Sequence, residues 1–141
     1  MKRLILILFV VSIVNSFAQT KLDYGIQFYH GTWKEACDKA KAENKLIFVD
    51  FYTQWCGPCL NMAENVFILP FIGDFYNTNF VNMKIDAENG EGVELAKRYG
   101  VNSYPTYVFV DPKNGDVVHQ SKSRQEAEQF LATGKSALVP E

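Results

Sequence analysis

Two thiols separated by two residues, in Trp55-Cys56-Gly57-Pro58-Cys59, are the groups in this chain best placed for covalent chemistry. A pair at that spacing suggests dithiol/disulfide exchange. The run before it, Leu46 to Tyr52, is almost unbroken in its apolar character and fits a strand covered on both faces. The run after it, Cys59 to Leu69, carries Met62, Val66 and Leu69 at helical spacing. Cys56 then stands at or just before a helix N-terminus, where unpaired amides and the positive end of the dipole favour its thiolate. Thiol pKa values at such sites fall to roughly 3.5–7.5. Cys59, one turn further in, is expected to be more buried and to stay protonated until a mixed disulfide forms. Asp50 lies inside the apolar strand, where a carboxylate is costly and its pKa rises. It is either a working acid or an acid at a strand end bonded to backbone amides.

Other chemistries fit these residues less well. Zinc at Cys56 and Cys59 lacks a second Cys or His pair at ligand spacing, because His30 and His119 are isolated. Copper delivery wants a differently spaced pair and a dedicated distant histidine. No metal is expected. The remaining cysteine, Cys37, shares a helical face with Trp33 and Ala40 and reads as a small buried hydrophobe rather than a reactive thiol. Three cysteines cannot build a disulfide framework, which argues for catalysis over stapling.

The elements around the pair follow from local signals. Ile26 to Tyr29 reads as a short first strand, and Thr32 with Glu35 forms a capping box that opens a helix running to Asn44. Pro70 kinks or breaks the active-site helix before Phe71 to Tyr76 resumes it. Phe80 to Ile85 is the next strand, Asp86 to Gly92 a loop, and Val93 to Tyr99 a short helix closed by Gly100. Thr106 to Val110 returns as a strand. Asn114-Gly115, within Asp111 to Asp116, is a strong hairpin signal, so Val117 to Gln120 should pair antiparallel with it. Ser123 is expected to cap a last helix that turns Phe130 and Leu131 inward. The order β-α-β-α-β-α-β-β-α implies an α/β fold with a central mixed sheet between helical layers.

A chain of 141 residues with 48% hydrophobic content supports one domain with a real core. Met1-Lys2-Arg3, the apolar run Leu4 to Val14 and Ser16-Phe17-Ala18 read as a signal peptide cleaved after Ala18. The run has 11 residues, short of the roughly 20 needed to span a bilayer. Residues 19–141 are then a single domain in the periplasm or outside the cell. Losing Lys2 and Arg3 leaves a net charge of −4, which argues against nucleic-acid binding.

Three separated segments resemble the thioredoxin superfamily, and particularly its secreted bacterial thiol-disulfide oxidoreductases. These are Phe48 to Tyr52 with Trp55 to Cys59, then Val81 to Asp86, then Tyr99 to Tyr107. The resemblance implies a thioredoxin fold and a protein-disulfide reductase, with disulfide oxidase or isomerase and a non-catalytic client-binding module as alternatives. It implies that Cys56 attacks, Cys59 resolves and Asp50 moves the proton of Cys59. The basic residue that accompanies this acid in the family aligns with Asn82, with Lys84 two residues later. A cis bond before Pro105 is implied as well, exposing the backbone of Tyr104 to an extended substrate. Trp55, Gly57, Pro58, Tyr104, Pro105 and Thr106 then form the substrate groove. The glycine lining the third side of that groove has no clear counterpart, His119, Gln120 and Ser121 filling the stretch; His119 itself reads as an exposed hairpin residue. Disulfide-containing proteins are the implied substrates and a membrane electron-relay reductase the implied donor. No cofactor is expected beyond the redox-active Cys56–Cys59 disulfide, and the oligomeric state is left open.

Overall fold

The computed structural model describes residues 23–139. The signal peptide expected over residues 1–18 lies outside them. The chain opens as an extended lead-in in which Phe28 makes one isolated parallel bridge to Asn82, in place of the strand expected from Ile26 to Tyr29. Side chains explain the difference. The Asn77 amide donates to the Gly25 carbonyl and its oxygen accepts from the Gln27 N–H, so two of the backbone groups of this segment never reach a ladder.

Helix α1 (Trp33–Glu43) begins at the expected capping box: Thr32 Oγ1 accepts from the Glu35 N–H at 3.2 Å, and the Glu35 carboxylate accepts from the Thr32 N–H at 2.7 Å. Asn44, at φ 52°, ends it in the left-handed conformation. Strand β1 (Leu46–Tyr52) follows, then α2 (Gly57–Asn65). This helix stops four residues before the expected Leu69, because the amides of Val66 and Phe67 both turn back onto the Met62 carbonyl. Pro70 therefore starts a new helix, α3 (Pro70–Asn79), from its first position, where its missing N–H costs nothing.

Strand β2 (Phe80–Asp86), helix α4 (Gly92–Arg98), strands β3 (Thr106–Val110) and β4 (Val117–Lys122), and helix α5 (Ala127–Ala137) complete the order. The sequence of elements is thus α-β-α-α-β-α-β-β-α, with the first strand reduced to a bridge and the second helix split. Ser123 does not cap α5. It sits at φ 73° and donates its N–H to the Pro105 carbonyl at 2.9 Å, while Glu126 holds the cap position, its carboxylate accepting from Arg124 and not from the amides of α5. Phe130 is fully buried as expected, and Leu131 is only half-buried.

The sheet runs β2-β1-β3-β4, with β1 parallel to β2 and antiparallel to β3, and β3 antiparallel to β4. Alternate residues of β1 feed two cores. Ile47, Val49 and Phe51 pack under α1 and α4 with Ala36, Ala40, Leu95 and Tyr99. Phe48 packs on the other face with Met62, Tyr76, Tyr107, Phe109 and Phe130. This mixed sheet between helical layers is the α/β thioredoxin fold that the resemblance implied, and it sets the end of β1 beneath the start of α2.

Candidate active site

The chain leaves β1 at Tyr52 and enters α2 at Gly57, with Cys56 as the N-cap residue. Its Sγ accepts the Cys59 N–H at 3.1 Å. In the reduced protein the same donor, with the positive helix end, favours charge on that sulfur. Cys56 and Cys59 are joined in a disulfide, S–S 2.07 Å. Both are buried, at 6% and 3% exposure, so the expected contrast between them is small here. A cleft of ≈ 330 Å³ beside the pair is lined by Thr53, Trp55, Cys56, Gly57, Cys59 and Lys84, among others.

Trp55 is 70% exposed, which excludes ordinary core packing for it. Its indole Nε1–H is shared between the two carboxylate oxygens of Glu88 at 3.0 and 3.1 Å, and its ring meets Tyr104 edge to face with centroids 6.0 Å apart. That contact brings the Tyr104-Pro105 segment to the site, and the bond between those residues is cis. Pro58 is exposed on the first turn of α2, whereas Pro105 and Thr106 are buried. Thr106 Oγ1 donates to the Ser103 carbonyl at 2.7 Å, so its side chain braces the turn and does not face outward.

Asp50 is fully buried, and neither carboxylate oxygen has a hydrogen-bond partner. It is not a strand-end acid tied to backbone amides. Burial pushes its carboxyl up to about 7, with the positive charge of Lys84 pulling the other way. The sheet register sets Asp50 between Lys84 on β2 and Tyr107 on β3. Lys84, not Asn82, is therefore the neighbouring cation. Asn82 lies opposite Phe48, and its amide donates to the Gln27 carbonyl and to Asn77 Oδ1. Lys84 holds its ammonium 4.9 Å from the centroid of the Tyr52 ring.

Glu88, Thr53 and the register of Lys84 were not foreseen from the sequence. Asp86 and Asn89 signal a turn there, and Asp86 Oδ1 does accept the Glu88 N–H, but nothing local says that the turn faces Trp55. Thr53 is buried and its carbonyl accepts the Cys56 N–H at 3.3 Å. Cys37 is half-buried rather than fully so, with its thiol pushed up by burial. His119 is half-buried against Phe109, ring centroids 5.7 Å apart, rather than exposed. Among the described residues, no group of three His, Cys, Asp or Glu side chains could hold a metal ion.

A family model described as a thioredoxin-like domain matches residues 33–138. Thioredoxin-1 of Drosophila yakuba is 46% identical over 69 residues, which is 49% of this chain and 60% of that protein. Thioredoxin H4 of Arabidopsis thaliana is 37% identical over 86 residues, covering 61% of this chain and 66% of that one. The chain thus spans less than two thirds of the length of these curated relatives. Among solved structures, a candidate disulphide-isomerase from Bacteroides thetaiotaomicron aligns with a TM-score of 0.74 at 42% identity, covering 84% of this chain and 97% of its own. A thioredoxin from Thermus thermophilus aligns with a TM-score of 0.72 at 28% identity, covering 82% and 88%.

Proposed function

Because the chain belongs to the thioredoxin-like domain family, we propose that it is a thiol-disulfide oxidoreductase that reduces disulfides in other proteins. The observation that carries this reading is the Cys56–Cys59 disulfide at the head of α2, beside an exposed Trp55 and following a strand that holds a buried, unpartnered Asp50. The cycle starts from the dithiol. Cys56 thiolate attacks one sulfur of the substrate disulfide, forming a mixed disulfide and expelling the other substrate sulfur as a thiolate that takes a proton from solvent. Asp50 carboxylate then accepts the proton of Cys59. The Cys59 thiolate attacks Cys56 Sγ and expels the second substrate sulfur as a thiolate that takes a proton from solvent, leaving the intramolecular disulfide seen here. Two electrons have passed to the substrate.

A carboxyl that titrates at about 7 suits this duty, since it both accepts and returns a proton near neutral pH. Trp55 and Tyr104 offer an apolar wall, and the backbone at the cis bond offers a strand-like edge for an extended segment. Electrons return through a membrane electron-relay reductase, and the site of action is the periplasm or the exterior, a reading that rests on the basic, apolar and small-residue pattern of residues 1–18. Insulin reduction coupled to dithiothreitol tests the activity: turnover is expected in the native chain and none in Cys56→Ser. Cys59→Ser should stall the mixed disulfide and retain its partners covalently. A pure client-binding module shows no turnover and no loss on Cys56→Ser. The 42% identity to the candidate disulphide-isomerase favours isomerase action as the second reading. Equilibrating the pair against glutathione separates them, since a potential as high as that of strong oxidants excludes a reductase.

A further inference from the structure

Five buried side-chain oxygens lack a hydrogen-bond partner among the described residues, and three of them belong to Asp50 and Tyr107. The two residues face each other directly across β1 and β3. Opposed residues of an antiparallel pair project from the same face, and Phe48, two positions before Asp50, packs in the same cluster as Tyr107. Both side chains are fully buried. Each unpartnered polar group in such a place is costly, so two facing each other without a bond between them require a reason. A neutral carboxylic acid gains little from a phenol beside it, whereas a carboxylate gains a donor.

We propose that Tyr107 is a positioning residue for the exchange reaction, its buried hydroxyl donating to the Asp50 carboxylate, directly or through one water, when Asp50 ionises to take the Cys59 proton. The inference rests on the reading of Asp50 as the base. It makes the hydroxyl a standing reserve: idle while Asp50 is protonated, and engaged at the step where charge appears. The Asp50 charge in turn pushes the Tyr107 phenol up, after the larger effect of burial, which keeps the phenol a donor throughout. The other groups facing Asp50 act differently. Lys84 from β2 favours the carboxylate from an exposed position, and Tyr52, two residues along the same strand, has its phenol raised in part by the Asp50 charge. Tyr76 of α3 raises the Tyr107 phenol and is not among the groups that shift Asp50. Tyr107 is thus the neutral donor that the β1–β3 register sets opposite the acid.

The test is the pH profile of the resolving step, followed by stopped-flow from a preformed mixed disulfide on Cys56. In the native chain the rate should rise through a limb set by Asp50. Tyr107→Phe removes a bond to the charged form alone, so its limb should move to higher pH by about one unit, a roughly tenfold loss of rate on the limb. The plateau above it should change little. Asp50→Asn should abolish the limb, and adding Tyr107→Phe to it should then shift nothing. If packing blurs Tyr107→Phe, fluorotyrosine at position 107 keeps the shape with a more acidic hydroxyl, and should move the limb to lower pH. Superimposed profiles for the native chain, Tyr107→Phe and the fluorotyrosine protein, or an equal shift in the Asp50→Asn background, overturn the proposal. Absence of any resolving step in the native chain instead overturns the exchange activity itself.

Discussion

Asp50 keeps a proton that the unfolded chain gives up, and this ties the site to stability as well as to catalysis. Its carboxyl is raised from 3.8 to about 7 by burial. Between those values the native state binds more protons than the unfolded state, so stability falls as pH rises and levels off above the folded value. The penalty at pH 8 is on the order of 4 kcal/mol. Asp50→Asn should therefore be more stable than the native chain at pH 8 and nearly equal to it at pH 4. Urea unfolding at the two pH values checks this, and parallel curves at both would contradict it. Glu88 makes a second case. It fixes Trp55 from a loop far away in sequence, so Glu88→Ala should weaken protein-substrate binding roughly two- to tenfold while leaving the reaction of a small disulfide unchanged. The cysteine pair and Asp50 were legible in the sequence because their signals are local: a spacing, and an acid inside an apolar run. Glu88 and Tyr107 were not, and Lys84 was legible only as the basic residue two positions after Asn82, because their placement arises from register and loop geometry, which no window of sequence contains.

The elements divide on the same ground. The Thr32 capping box and the apolar β1 strand were readable from neighbours alone. The lead-in over residues 26–29 and the end of α2 were not, because the Asn77 side chain takes up backbone groups of the lead-in and the amides of Val66 and Phe67 share the Met62 carbonyl. The lead-in is held to α3 by a close approach of two glycines. A Cβ on Gly73 would lie 2.3 Å from the Gly25 carbonyl oxygen and 2.6 Å from its Cα, and backbone cannot rotate out of the way as a flexible side chain does. Gly73→Ala should then cost about 1–3 kcal/mol by forcing the segments apart. Amide hydrogen exchange should localise the damage. Protection of the Ile26 and Tyr29 amides, which donate to Phe67 and Asn82 carbonyls, should fall, while β1 keeps its own. Uniform loss across the sheet would show instead that the lead-in folds as one unit with the core.

Both cores hang on the same strand. Odd residues of β1 anchor one helical layer and even residues the other, so β1 lies in the middle of the sheet and in the middle of the molecule. Phe48 is the densest of these anchors. Its ring touches Tyr76 of α3 at 4.9 Å, Tyr107 and Phe109 of β3 at 6.1 and 5.2 Å, and Phe130 of α5 at 5.8 Å between centroids. Tyr76 and Phe130 also stack at 4.6 Å, and the Tyr76 hydroxyl donates to the Phe130 carbonyl at 2.8 Å. Truncating such a residue removes both transfer energy and contacts that the rigid surroundings cannot replace. Phe48→Ala should cost about 3–5 kcal/mol, a large share of the 5–15 kcal/mol typical of a small domain. Because the opposite core shares the strand, it should not survive alone. Urea unfolding followed by tryptophan fluorescence and by far-ultraviolet circular dichroism should stay coincident, with the midpoint lowered and the slope unchanged. Two separated transitions would mean that the layer of α1 and α4 folds without its counterpart, and that β1 does not couple the site beneath α2 to the rest of the chain.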